Sequence, residues 1–281
     1  MDGFIFFSRM MKRLVWCFAL LGGFFFSSCW AYTPTVQDTA LVNSVRSQIF
    51  TLADGNLRDL RDYSAQLNDL KDQLITQPSI SYVLGEIAQD LRDTIDQTQI
   101  QAKQDALPLK KSFVAQYATG IKDIKETDLC STYYKDLDTM SFVNNFPTAL
   151  TIATRYREAG CKWYLPGNGD GPFQIVSKDY GTGQLTKPIF YQSVQDFIDF
   201  SRTKWTQYKS KLWIDLTYTS FDFTGLINHA ALYNGGIITW GVMKPNAPKY
   251  VYDGYGNDYS GAIRYGILPK FLKVLQWEIG N

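Results

Sequence analysis

Glu158 occupies the position in this sequence best suited to acid–base chemistry. Residues 144–158 read as a helix, with Asn145 placed to cap it and Pro147 in its first turn. Phe146, Leu150, Ala153 and Tyr156 form its buried stripe, and Gly160 is a natural terminator. Glu158 therefore falls in the last turn, where the helix dipole disfavours a negative charge by about 0.3–1 kcal/mol. The same field raises the carboxyl pKa, and burial against aromatic rings raises it further. A carboxyl kept protonated near neutral pH is what a glycosidic leaving group requires of its general acid.

The residues that follow add to this. Gly167-Asn168-Gly169-Asp170-Gly171-Pro172-Phe173-Gln174-Ile175 is a glycine-rich turn running into an apolar segment with one glutamine in it. Further on come Leu232-Tyr233-Asn234-Gly235-Gly236, on a helix opened by Asp222 or Thr224, and then Tyr250-Val251-Tyr252 with Tyr255 and Tyr259. This order resembles the lysozyme-like superfamily, and the soluble lytic transglycosylases in particular. There a catalytic glutamate ends a helix, a Gly-Leu-Met-Gln segment follows, and an Ala-Tyr-Asn-Ala-Gly segment comes later. The resemblance covers roughly residues 142–281.

The resemblance implies a lysozyme-like fold without a cofactor or metal, acting on the glycan strands of peptidoglycan. It makes Glu158 the general acid/base, sets Gln174 and Phe173 in the cleft, and has Tyr233 hydrogen-bond around Glu158. Asn234 and Tyr252 are then substrate contacts. Two departures stand out. Ala159 follows Glu158 where the family often has serine, and Pro172-Phe173 replaces Leu-Met.

The mechanism depends on whether a second carboxylate takes part. Glycosidases of the two-carboxylate type hold their pair about 5–5.5 Å or 6.5–9.5 Å apart. Asp170 is the near candidate in sequence, although aspartate between glycines also suits a tight turn. A lytic transglycosylase needs no partner, because the substrate's own N-acetyl group stabilises the developing cation. The expectation is a lytic transglycosylase. The alternatives are a muramidase using Asp170, or a non-catalytic module that keeps the cleft for binding glycan.

Other chemistries find little support. A single histidine, His229, rules out histidine-cluster metal sites and reads as a packed core residue. No Gly-x-Ser-x-Gly elbow is present. Gly181-Thr182-Gly183 lacks the lysine of a phosphate loop and suits a hairpin turn. A net charge of +1 gives no global reason to expect nucleic acid.

The elements that must position Glu158 divide the chain into three. Residues 1–31 hold nine of the 43 aromatic rings, residues 32–106 hold four, and residues 107–281 hold thirty. Residues 32–106 have a net charge of −5 and residues 107–281 a net charge of +4. The expected architecture is mainly α, with a small β-hairpin region: a helical hairpin or spacer over 32–108, then a lysozyme-like domain over 109–281. Phe197, Phe200, Trp205 and Tyr208 repeat at helical spacing and belong first to the core.

The first of these segments reads as an export signal. Arg9, Lys12 and Arg13 precede an apolar-to-small run from Leu14 to Phe26 and the small residues before Ala31. Thirteen residues rise only about 20 Å as a helix, short of a bilayer core of roughly 30 Å. Met11 is an alternative start. Cleavage after Ala31, lipidation at Cys29 within Phe26-Ser27-Ser28-Cys29, and an uncleaved anchor are the three outcomes, two of which tether the chain to a membrane. Export puts Cys130 and Cys161 where they can pair, closing a loop of about 30 residues worth about 3 kcal/mol; two buried thiols are the alternative.

In the spacer, Leu41, Val45, Ile49 and Leu52 mark one stripe, and Leu57, Leu60, Leu67, Leu70 and Leu74 the next. Asp59, Asp62, Asp69, Asp72, Asp90 and Asp93 read as a solvated face among arginines rather than as ligands. Self-association is one use for such a segment. Residues 97–107 are polar and end at Pro108, which suits a linker.

Overall fold

The computed structural model describes residues 32–117, 134–162, 164–175, 177–209, 214–235 and 267–280. Among them the protein is mainly α-helical, with one small antiparallel sheet. The chain forms two compact units, residues 1–97 and 98–281. No described helix is long and apolar enough to cross a membrane.

The first unit contains α1 (Val36–Ala53), α2 (Leu57–Gln73) and the first half of α3 (Pro78–Tyr117). Thr35 caps α1 and Asp38 answers from the third position, giving a reciprocal capping box. Asp54 in a left-handed conformation (φ 46°) ends the helix, and Asn56 caps α2 two residues later. The buried stripe of α1 is Val42, Val45, Ile49 and Ala53; Leu52 is 42% exposed, so the face is turned slightly from the expected one. Leu60, Ser64 and Leu67 are buried along α2, and the Ser64 hydroxyl donates to the Ala88 carbonyl at 2.8 Å.

The expected linker over residues 97–107 is helical instead. It lies inside α3, which passes through Pro108 without stopping. Proline removes one intrahelical hydrogen bond there, yet Gln99, Ala106, Lys110 and Phe113 are all buried on the same helix. Gln99 is polar because it donates to Asp138 at 2.9 Å, not because it faces water.

The second unit takes the rest of α3, then α4 (Tyr134–Val143), α5 (Thr148–Ala159), α6 (Lys187–Tyr208), α7 (Phe223–Gly235) and α8 (Leu268–Gly280). β1 (Tyr164–Leu165) pairs antiparallel with β2 (Gly183–Gln184), Tyr164 facing Gln184 and Leu165 facing Gly183. Residues 181–183 lead into β2 and are not the turn of a tight hairpin, since the whole segment 166–182 connects the strands. Helix α5 packs mainly against α8, and α4 contacts both α5 and α6. Its core includes Phe146, Leu150, Phe173, Phe190, Phe197 and Phe271, each fully buried.

Asn145 does not cap α5. Pro147 holds the N-cap position without a side-chain hydrogen bond, and Asn145 adopts φ 46°. Its side-chain oxygen accepts from the Tyr218 backbone at 3.2 Å, tying the start of α5 to the segment before α7.

Candidate active site

Glu158 sits in the last turn of α5, where Gly160 (φ 62°) closes the helix by donating to the Tyr156 carbonyl at 2.8 Å. Cys161 follows in a second left-handed conformation (φ 56°) and is disulfide-bonded. Its partner, like Cys130, lies outside the described residues. Arg155, fully buried under the Phe190 ring, donates to the Lys162 carbonyl at 3.3 Å and holds down the chain that leaves the helix. Two left-handed residues and this bond fix the direction in which α5 ends.

The Glu158 side chain is only 17% exposed. Its Oε1 is buried and accepts no hydrogen bond among the described residues, while Arg157 Nε lies 3.7 Å away. Burial pushes the carboxyl above its ordinary range, and the Arg157 charge offsets part of the rise.

The glycine-rich turn is held by its own backbone and by Asn168. Gly169 donates to Pro166 at 3.2 Å, and Ile175 donates to Asp170 at 3.0 Å. The Asn168 amide donates to Asp170 Oδ2 at 2.9 Å and to Gln174 Oε1 at 2.8 Å. Gln174, itself left-handed at φ 53°, donates from Nε2 to the Gly171 carbonyl at 2.9 Å. Gly171 is required as glycine: at φ 73°, a Cβ there would lie 2.2 Å from Cδ2 of Tyr180.

Tyr233, on α7, reaches the turn. Its hydroxyl donates to the Phe173 carbonyl. Burial raises its phenol pKa, and the Glu158 charge raises it further, which places the two side chains in one electrostatic environment.

The expected site residues fare differently. Glu158 and Tyr233 come together, and Gln174 and Asp170 lie in the turn that Tyr233 reaches. Phe173 is not a cleft wall. It is 1% exposed and stacks on Phe197 with centroids 4.5 Å apart, so its ring is core and only its carbonyl serves the site. The Asp170 carboxylate spends a hydrogen bond inside the turn. Tyr252 and the side chain of Asn234 lie outside the described residues. His229 is 1% exposed, and burial lowers its pKa to about 3. Its Nδ1 accepts from Trp205 Nε1 at 3.1 Å, which assigns the proton to Nε2.

Two groups of residues escaped sequence reasoning. Tyr180 folds back over the turn. Its backbone donates to Gly169 at 2.9 Å, its hydroxyl donates to Asp196 at 2.8 Å, and Lys178 reaches the same carboxylate at 2.9 Å. The paired glycines, which must leave room for something, were its only trace in the sequence.

The second group is a buried polar network. Lys110 pairs with Glu278 at 2.8 Å, and Tyr134 donates to Glu278 at 2.7 Å. Asp138 accepts from Thr148, Gln99 and Tyr218 and pairs with Lys103 at 2.6 Å. These residues are far apart in sequence, and nothing in their spacing announces them. They fasten α3, α4, α5 and α8 together with their charges matched.

Among the described residues, no group of three His, Cys, Asp or Glu side chains could hold a metal ion. Compared with protein-family models, with curated proteins and with solved structures, the chain matches none of them.

Proposed function

We propose that this chain is an exported lytic transglycosylase whose second unit is lysozyme-like and acts on peptidoglycan glycan strands. The observation that carries the reading is the Glu158 carboxyl: buried at a helix end, without a hydrogen-bond donor at Oε1, raised in pKa, and close enough for its charge to act on Tyr233. A carboxyl whose pKa is raised by burial is better suited to donate a proton to a substrate oxygen than one at its ordinary value.

In this mechanism Glu158 donates its proton to the glycosidic oxygen between N-acetylmuramic acid and N-acetylglucosamine as the C–O bond breaks. The N-acetyl carbonyl of the muramic residue stabilises the cation developing at its C1. Glu158, now a carboxylate, takes the proton of the C6 hydroxyl, whose oxygen closes on C1. The products are a 1,6-anhydro end and a free 4-hydroxyl, and Glu158 regains its starting form. Tyr233 positions the turn through the Phe173 carbonyl, and Gln174 borders the same turn.

Incubation with purified sacculi tests the reading. Wild-type protein is expected to release soluble muropeptides with anhydro ends, and Glu158→Gln to release none while remaining folded. Reducing ends would establish the two-carboxylate hydrolase instead. Retention on sacculi without release would establish a glycan-binding module.

A further inference from the structure

The first unit carries a groove of about 480 Å³ lined by Tyr32, Lys71, Ile75, Tyr82, Gly85 and Arg92, with Glu86 among its other walls. Its size falls in the range of ligand sites. Its charge sets it apart from its surroundings. Residues 32–97 contain ten carboxylates and five cationic side chains, so cations there have carboxylates to choose from. Arg46 pairs with Asp90 at 2.9 Å and Arg61 with Asp62 at 2.8 Å, and Arg58 is engaged as well. Lys71 and Arg92, both in the groove, have no carboxylate partner among the described residues; Arg92 donates to the neutral Gln89 at 2.6 Å.

The floor of the groove is built to present Lys71. Gly85 lies inside α3, where glycine is a poor helix former and no turn or positive φ requires it. Lys71 lies across it, with Cδ 3.3 Å and Nζ 3.8 Å from where a Cβ would be. The missing side chain lets the ammonium rest against the α3 backbone in the groove. Beyond it, Ile75 is 69% exposed and the Tyr32 and Tyr82 rings lie 5.7 Å apart, giving one end of the groove an apolar character.

We propose that this groove binds an extended acidic peptide, with carboxylates on Lys71 and Arg92 and an apolar residue against Ile75 and Tyr82. The spacing sets the register. Pro78 to Arg92 spans about 21 Å of helix, the length of about six extended residues. Gly85 and Arg92 share one face two turns apart, about 10 Å, a span that long lysine, arginine and glutamate side chains bridge from acidic residues two positions apart, which share one face of an extended chain. Two cations beside Glu86 in an acidic unit match one or two carboxylates and not the dense charge of nucleic acid or an anionic membrane surface. This inference does not depend on the activity proposed for Glu158.

The test titrates the full chain against a fluorescein-labelled hexapeptide, Ile-Ala-Glu-Ala-Glu-Ala, whose isoleucine and two glutamates share one face when extended, at low salt. Binding below about 1 mM is expected, weakened about tenfold by Lys71→Met, by Arg92→Met, or by replacing both peptide glutamates with glutamine. Gly85→Ala is expected to weaken binding while raising the melting temperature, because alanine favours the helix but displaces Lys71. A purely structural Gly85 would not separate those two readouts. Absence of binding at about 1 mM, equal binding of the glutamine peptide, or indifference to all three variants overturns the proposal. Concentration-dependent self-association that Lys71→Met abolishes also overturns it, by making a second copy the occupant.

Discussion

Asp38 in the first unit and Glu158 in the second are both withdrawn from water, yet they end in opposite electrostatic states. Asp38 is 6% exposed and receives the Ser79 hydroxyl at 2.5 Å, the Thr35 amide and hydroxyl at 2.7 Å each, and the Tyr32 hydroxyl. Burial pushes its pKa up, but those donors outweigh burial and hold it at about 2. Glu158 has burial and one loosely placed arginine, and its pKa rises. Glu278 has donors and is raised all the same: burial outweighs what Lys110 and Tyr134 offset. The balance of burial against donors, and not burial alone, sets the outcome. A carboxylate surrounded by donors fixes a structure, whereas one left without them is free to exchange its proton.

The change that would most severely break this contrast is Glu158→Gln. Loss of a general acid typically costs 10²–10⁴ in rate, and muropeptide release should fall by about that factor or more. Stability should move the other way. Glutamine removes a buried ionisable group that has no hydrogen-bond partner at Oε1, so the melting temperature should hold or rise. An active variant, or one that unfolds, would put Glu158 in the class of Asp38.

Lys110→Met comes next and acts on stability alone. It strands Glu278 in a site where both side chains are 8% exposed. Removing one partner of a buried pair generally costs about 3–5 kcal/mol, measurable as a lower urea midpoint. Adding Glu278→Gln should recover much of that loss, because the uncompensated charge goes with it. If the double variant is as unstable as the single, packing and not charge explains the pair.

How much of this was legible in the sequence differs by region. The end of α5 could be read because its signals are local: an apolar stripe, a glutamate and a glycine stop within a few residues. The start of the same helix was misread because Asn145 has the type of a cap but spends its side chain on Tyr218, 73 positions away. Gln97 to Pro108 looked like a linker because polarity and proline are local cues. The buried partners that keep α3 helical there, Asp138 for Gln99 and Glu278 for Lys110, come from elsewhere in the chain. Phe173 reads as a cleft residue, yet its ring is core and its carbonyl accepts from Tyr233, since sequence position does not say which way a ring or its carbonyl faces. Tyr180 left a trace only in the glycine it requires at 171.

Asp38→Asn tests the other side of the comparison. It removes a charge that receives several hydrogen bonds near the outer layer of a helical unit, and screening by solvent limits the cost to about 1 kcal/mol. The folded pKa of Asp38 lies below its ordinary 3.8. Its stabilisation is therefore complete above about pH 4 and is lost as pH falls toward 2. Glu158 has the reverse sign. Its folded pKa lies above the ordinary 4.5, so its contribution is complete below that value and is lost as pH rises through the folded pKa. Urea midpoints measured across pH 2–8 should thus lose a slope below about pH 4 in Asp38→Asn and a slope of opposite sign, starting above the ordinary carboxyl value, in Glu158→Gln. Matching slopes in the two variants would undo the distinction.

Tyr180→Phe carries the smallest expected effect and isolates geometry from charge. It keeps the ring over Gly171 but deletes the hydroxyl that binds Asp196, leaving Lys178 on that carboxylate. A hydrogen bond to a charged group that retains another partner should cost about 1 kcal/mol or less, so the melting temperature should barely move. If Tyr180 clamps the turn whose Phe173 carbonyl receives Tyr233, loosening it misplaces groups around Glu158 without altering glycan affinity. Turnover should then fall several-fold at unchanged KM, the signature of a lost positioning interaction. Asp196→Asn should lower turnover in the same way, because it weakens the same hydrogen bond from the other end. A fall in stability as large as the fall in turnover would instead make the strap an ordinary part of the fold. The contrast would then reduce to Glu158 and the donors it lacks.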